Sequence, residues 1–154
     1  MILEYERVRG DVVSPTRSNP SDAGLDVYFC PDDGEAQGIN VHPGDSVLLQ
    51  TGLKVGVPHG FMLEVKNRSG VAAKKNLIVG ACVIDPGYDG EIFVNLHNIG
   101  NETVFLERNA KIAQLVLIPV VHFRIRENAD HNHLYNESIA ISNRGDGALG
   151  STGG

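Results

Sequence analysis

The chain has 154 residues, 42% of them hydrophobic and 21% charged, which fits one domain with a real core and lies outside the disordered range. Its net charge of −6 has the wrong sign for a general nucleic-acid surface, and no apolar run approaches the ~20 residues of a membrane span. The N-terminal M-I-L-E-Y-E-R carries acids where a secretory leader carries bases, so the expectation is a soluble, cytoplasmic protein that binds neither nucleic acid stably nor membrane.

Short apolar runs separated by turn residues fill most of the chain. Residues 2–8 alternate loosely and stop before Ser14-Pro15 and Asn19-Pro20. Strands are expected at 25–30, closed by Pro31-Asp32-Asp33-Gly34, at 46–50 after His42-Pro43-Gly44-Asp45, and at 53–57 before Pro58-His59-Gly60. More follow at 61–66, 76–84, 91–98, 111–119 and 120–126. A series of this kind reads as an all-β sandwich, jelly roll or barrel. Cys30 and Cys82 stand far apart in no metal-like spacing and are expected to be reduced thiols.

One segment breaks the β pattern. Residues 69–76 read as a short helix, with Ser69 able to cap it, two alanines within it, and Lys74, Lys75 and Asn76 suited to its C-terminal end. A helix start offers N–H groups to phosphate, and Arg68 adds a planar, bidentate donor just before it. Such a turn also serves simply to bridge two strands.

Between residues 79 and 91 the chain reads V-G-A-C-V-I-D-P-G-Y-D-G-E. An apolar run ends in Asp85, turns at Pro86-Gly87, and shows an aromatic, Tyr88, before a second apolar run. Strand, turn and return strand would put a carboxylate and a ring at the mouth of a hairpin, although Asp-Pro-Gly alone is ordinary turn chemistry. From Arg144 the chain is R-G-D-G-A-L-G-S-T-G-G, either a plain Gly/Ser terminus or an arm that folds over an anion. The expected organisation is a core at 1–126, a polar tether at 127–143 containing His131 and His133, and an arm at 144–154.

Together these stretches resemble the homotrimeric dUTPase family, the deoxyuridine triphosphate diphosphatases. Five blocks carry the resemblance in order: A-G-L-D at 23–26, R-S-G at 68–70, G-A-C-V-I-D-P-G-Y-D-G at 80–90, A-K-I-A-Q at 110–114, and R-G-D-G-A-L-G-S-T-G at 144–153. The resemblance implies a distorted jelly-roll or β-barrel-like subunit with one short helix, in a homotrimer whose active sites are shared between subunits. It also implies hydrolysis of dUTP to dUMP and pyrophosphate with Mg2+ on the phosphates, which limits uracil incorporation into DNA and supplies dUMP for dTMP synthesis.

On this resemblance Asp85 is the general base toward a water attacking the α-phosphorus. Arg68, Ser69, Gly70 and Gln114 hold phosphate oxygens, while Asp26 holds waters of the Mg2+ shell. Backbone groups of Ala81, Cys82, Val83 and Ile84, with Phe93, pair with the uracil edge, and Tyr88 packs under the deoxyribose, leaving no room for a 2′-hydroxyl. Arg144, Gly150, Ser151 and Thr152 close over the terminal phosphate from the arm.

The sequence departs from the family in three places of consequence, one of them the long stretch between the last core strand and the arm, which bears on how the arm is routed. Leu149 stands where members usually carry Phe, which removes an aromatic lid over uracil and implies a looser arm and weaker substrate capture. Asn109-Ala110-Lys111 stands where Gly-Asp-Arg is usual, so a carboxylate that would orient an arginine is missing. Two rivals share the scaffold. A dCTP deaminase would carry R-S-S and a glutamate base, against Gly70 and Asp85 here. A catalytically weak trimeric regulatory or binding protein would have let Ala110 and Leu149 decay.

Overall fold

Side-chain burial alternates along short strands separated by turns, as a sheet with one buried face requires. In chain order the strands are β1 (Tyr5–Arg7), β2 (Leu25–Tyr28), β3 (Gly38–Val41), β4 (Ser46–Gln50), β5 (Leu53–Val55) and β6 (Phe61–Lys66). After the helix α1 (Ser69–Lys75) come β7 (Leu77–Val79), β8 (Val83–Ile84), β9 (Phe93–Asn98), β10 (Val104–Glu107) and β11 (Lys111–Pro119). The structure, a computed structural model, describes residues 1–129 and 134. Met1–His122 is one unit; of the second, Phe123–Gly154, the described residues hold neither strand nor helix. Among the described residues no helix is long and apolar enough to cross a membrane.

Two sheets enclose the core of the first unit. One is ordered β2-β11-β6-β8 and the other β4-β9-β7, all antiparallel, with the pairs β1-β5 and β10-β3 beside them. Inward residues Val27, Leu63, Val65, Ile112 and Leu115 of the first sheet join Leu49, Leu77, Val94 and Leu96 of the second in one buried cluster. Each fully buried aliphatic side chain contributes about 1.5–3 kcal/mol, against roughly 0–1 kcal/mol for an exposed ion pair. The core, not the surface charge, therefore holds the strands that carry the site. Among the described residues, the all-β class with one short helix expected from the sequence is the fold observed.

The differences have local causes. No strand forms over 120–126: Val120 N–H donates to Gly60 C=O at 2.9 Å, and beyond it Val121, Phe123 and Ile125 are exposed. The alternating V-H-F-R-I-R has a strand's period, but the described residues offer it no paired edge. Two strands not expected, β3 and β10, pair with each other; a Cβ on Gly38 would lie 2.4 Å from Leu106 O, so glycine permits that approach. The run 76–84 is two strands in different sheets, and residues 2–8 pair only over β1. Ser69 does not cap α1. Arg68 holds the N-cap position in extended conformation without a side-chain cap bond, while Asn76 ends the helix at φ 53°, where Asn is tolerated.

Candidate active site

Two cavities collect the residues expected to act, and they share no lining residue. The first, about 400 Å³, is a polar cleft lined by Asp26, Arg68, Ser69, Gly70 and Gln114, with Ser18, Asp22 and Gly24 at its side. Asp26, on β2, is only 8% exposed, so its charge needs partners. It has two: Arg68 Nε at 2.7 Å from Oδ1 and Lys111 Nζ at 2.8 Å from Oδ2. The hydrogen bond to Asp26, ahead of its charge, pushes the Lys111 ammonium above its ordinary pKa of 10.5, against some loss from burial. Gln114 donates from Nε2 to Asn67 C=O at 2.9 Å, and its Oε1 lies where a Cβ on Gly24 would sit, 2.1 Å away. Gly24 is thus the pad that lets Gln114 lie over the cleft.

The second cavity, about 550 Å³, is more apolar. Ala81, Cys82, Val83, Ile84, Asp85, Tyr88 and Phe93 all line it, with Leu48, Val65 and Ile92 behind. Asp85 to Tyr88 form a turn with Tyr88 N–H donating to Asp85 C=O at 3.3 Å and Gly87 at φ 84°, the type II geometry that Pro-Gly favours. The segment is not the simple hairpin expected. β7 pairs with the return strand β9, while β8 leaves to pair with β6 in the other sheet, so Asp85 sits on a loop that bridges the two sheets.

That loop is pinned from three sides. Asn95 Oδ1 accepts from Ala81 N–H at 3.3 Å and lies 3.0 Å from His97 Nε2, and a Cβ on Gly80 would come within 2.2 Å of it. Cys82 C=O accepts from Val65 N–H at 2.7 Å. The Ala81 N–H and the Cys82 C=O are thus already engaged within the chain. Tyr88 Oη donates to Glu91 C=O at 2.8 Å, its ring lying where a Cβ on Gly90 would be 2.3 Å from Oη. Glu91 Oε1 in turn accepts from Gly52 N–H at 2.7 Å.

The expected residues therefore fall into two sets: Asp26, Arg68, Ser69, Gly70 and Gln114 in the cleft, and the seven residues from Ala81 to Phe93 around the second cavity. Arg144, Leu149, Gly150, Ser151 and Thr152 lie outside the described residues. Lys111, Gly90 and Glu91 fall within the stretches quoted above but carry no expected role in the site. Two apolar residues in succession, Ile112-Ala113, precede Gln114, but nothing local shows that both are buried. Among the described residues no three His, Cys, Asp or Glu stand together as metal ligands. Each Asp26 oxygen makes one contact to a cationic side chain and keeps lone pairs, a donor set that suits water-mediated contact to a divalent cation carried by an anionic ligand.

Comparison with known proteins bears on the whole chain. Residues 11–153 match the dUTPase family model. A deoxyuridine 5'-triphosphate nucleotidohydrolase of Hydrogenobaculum sp. (strain Y04AAS1) is 33% identical over 155 aligned positions, covering 99% of each chain. In structure, the chain is similar to a mutant dUTPase of Staphylococcus bacteriophage 80alpha solved with dUpNHpp, at TM-score 0.78 and 24% identity over 99% of this chain and 98% of that one. A mutant dUTPase from phage phi11 of S. aureus, described for its coordination of a structural Mg(II) ion, aligns at TM-score 0.74 and 22% identity over 82% of this chain and 96% of that one. These two structural likenesses establish the fold.

Proposed function

This chain belongs to the dUTPase family, hydrolases acting on dUTP, and from that premise we propose how its two cavities divide the reaction. The products are dUMP and pyrophosphate, which keeps uracil out of DNA and supplies dUMP for dTMP synthesis. Asp85 takes a proton from water as the water oxygen bonds to the α-phosphorus and the bond to the bridging oxygen of the β-phosphate breaks. Uracil pairs with backbone groups between Ala81 and Ile84, beside Phe93. Tyr88 lies under the deoxyribose, and its tethered ring leaves no space for a 2′-hydroxyl.

The triphosphate belongs to the cleft. Arg68 gives Nε to Asp26 and keeps its terminal nitrogens for phosphate oxygens, beside Ser69, Gly70 and Gln114. Asp26 would hold waters of a Mg2+ ion, which when bound would neutralise charge on the phosphates. Arg144, Gly150, Ser151 and Thr152 close over the terminal phosphate, with Leu149 in the lid position over the base.

The observation that supports this reading is that Ala81 to Asp85, Tyr88 and Phe93 line one cavity while Asp26, Arg68, Ser69, Gly70 and Gln114 line another. Attack on the α-phosphorus needs both within near-contact reach. Two cavities without a common wall support a homotrimer in which one subunit's cavity faces another's cleft.

The test is pyrophosphate release from dUTP, dTTP, dCTP and UTP, with and without Mg2+, by the wild type and Asp85→Asn. Turnover confined to dUTP, dependent on Mg2+ and lost in Asp85→Asn is expected. Undiminished turnover in that variant removes Asp85 as the base, and ammonia release from dCTP points instead to a deaminase.

A further inference from the structure

The reaction as drawn gives Lys111 no part, yet the fold goes out of its way to deliver it. Residues 111 and 114 are three apart and would face opposite sides of a regular strand. In β11 the register against β2 shifts between Lys111 and Ala113, and Ile112 and Ala113 are both fully buried. This bulge, of the kind that re-aims side chains beside active sites, sends Lys111 and Gln114 to the same side. Asn109 at φ 63° turns the chain into the strand just before it. The Lys111 ammonium reaches Asp26 Oδ2 at 2.8 Å and lies 5.9 Å from the centre of the Tyr28 ring.

A guanidinium facing a carboxylate alone tends to engage both oxygens through two parallel bonds. Here Arg68 engages Oδ1 only, through Nε, while Lys111 holds Oδ2. We propose that Lys111 is a positioning residue for the triphosphate: by occupying the second oxygen of Asp26 it prevents bidentate pairing and keeps the terminal nitrogens of Arg68 available to phosphate. The inference rests on the dUTP-hydrolysing reading above and assigns a task to a residue that reading leaves idle.

The experiment compares Lys111→Met and Lys111→Arg with the wild type in dUTP turnover and in binding of dUMP and of a non-hydrolysable dUTP analogue. Losing one charge-assisted contact to phosphate corresponds to about a tenfold rise in KM with kcat within about twofold. In Lys111→Met, weaker analogue binding with dUMP binding unchanged is expected, and Lys111→Arg restores both KM and analogue affinity. A crystal structure of Lys111→Met should show Arg68 paired to both oxygens of Asp26. The proposal is overturned if Lys111→Met binds the analogue as the wild type does, if dUMP and analogue weaken equally, or if Arg68 keeps its single contact. A wild type that does not hydrolyse dUTP overturns the underlying reading instead.

Discussion

The two cavities are built on opposite principles. The one around Asp85 comes almost entirely from a single stretch of 13 consecutive positions, 81–93, with backbone turns, one tethered ring and the wall of a core strand fixing its shape. The cleft around Asp26 draws on the segment before β2, β2 itself, the start of α1 and β11, residues up to 96 positions apart in sequence, and is fixed by charge: the Asp26 carboxylate, two cations and an amide over a glycine. A local loop can carry base selectivity because backbone groups present the same pattern whatever the side chains. Binding a polyanion takes several donors from separate elements, which only tertiary structure can bring together.

If the cavities meet across subunits, the sharpest way to break the comparison is complementation. Asp85→Asn and Arg68→Ala each disable one cavity, and each homotrimer should be inactive, removal of a general base alone costing about 10²–10⁴-fold. Co-expressed, they form mixed trimers in which one junction joins an intact Asp85 to an intact Arg68. Random assembly at equal amounts should restore about a quarter of wild-type turnover in a symmetric trimer. A site contained within one chain would give no recovery on mixing, and purified mixed trimers as inactive as their parents would refute shared sites.

The same contrast explains what could be read in advance. The Asp85 turn was legible because Pro86 and Gly87 dictate a type II turn in any context. The cleft was legible as a phosphate-binding helix start after Arg68 and, in its full residue set, only through three of the five motifs, and its internal wiring was not. Nothing local states that Lys111 and Gln114 share a side, since a bulge shows only once Ile112 and Ala113 are both seen buried. The β3–β10 pair escaped because each strand has four residues and Gly38, at the start of one, reads as a breaker until β10 is packed against it. The 120–126 strand was expected on period alone, and period does not supply a partner.

A subtler intervention addresses only the local cavity. Alanine at Gly90 places a Cβ 2.3 Å from Tyr88 Oη and 2.5 Å from Cζ, so the ring must leave its present position, which the proposed function puts under the sugar. The expected result is a rise of about tenfold or more in kcat/KM for UTP relative to dUTP, since the wall that excludes an added hydroxyl has moved. Tyr88→Phe removes only the bond to Glu91 C=O, worth about 1 kcal/mol, and should shift the ratio less. If Gly90→Ala lowers turnover of both nucleotides equally, Tyr88 does not discriminate between the sugars.

The smallest effect isolates the charge-built cleft without any substrate. Lys111 has its pKa raised above 10.5 mainly by its hydrogen bond to Asp26, so in the window above 10.5 the folded chain retains a proton that the unfolded chain has lost. Stability then falls as pH rises, because the folded state binds more protons than the unfolded one. The contribution is fully present below the unfolded value and disappears as pH passes the folded one. Arginine at this position does not titrate in that range. The difference in unfolding free energy between wild type and Lys111→Arg should therefore stay flat up to pH 10.5 and turn against the wild type above it. A difference that stays flat across the alkaline window would mean that the Lys111–Asp26 bond does not persist in solution. The cleft would then lose the element that distinguishes its construction from that of the loop-built cavity.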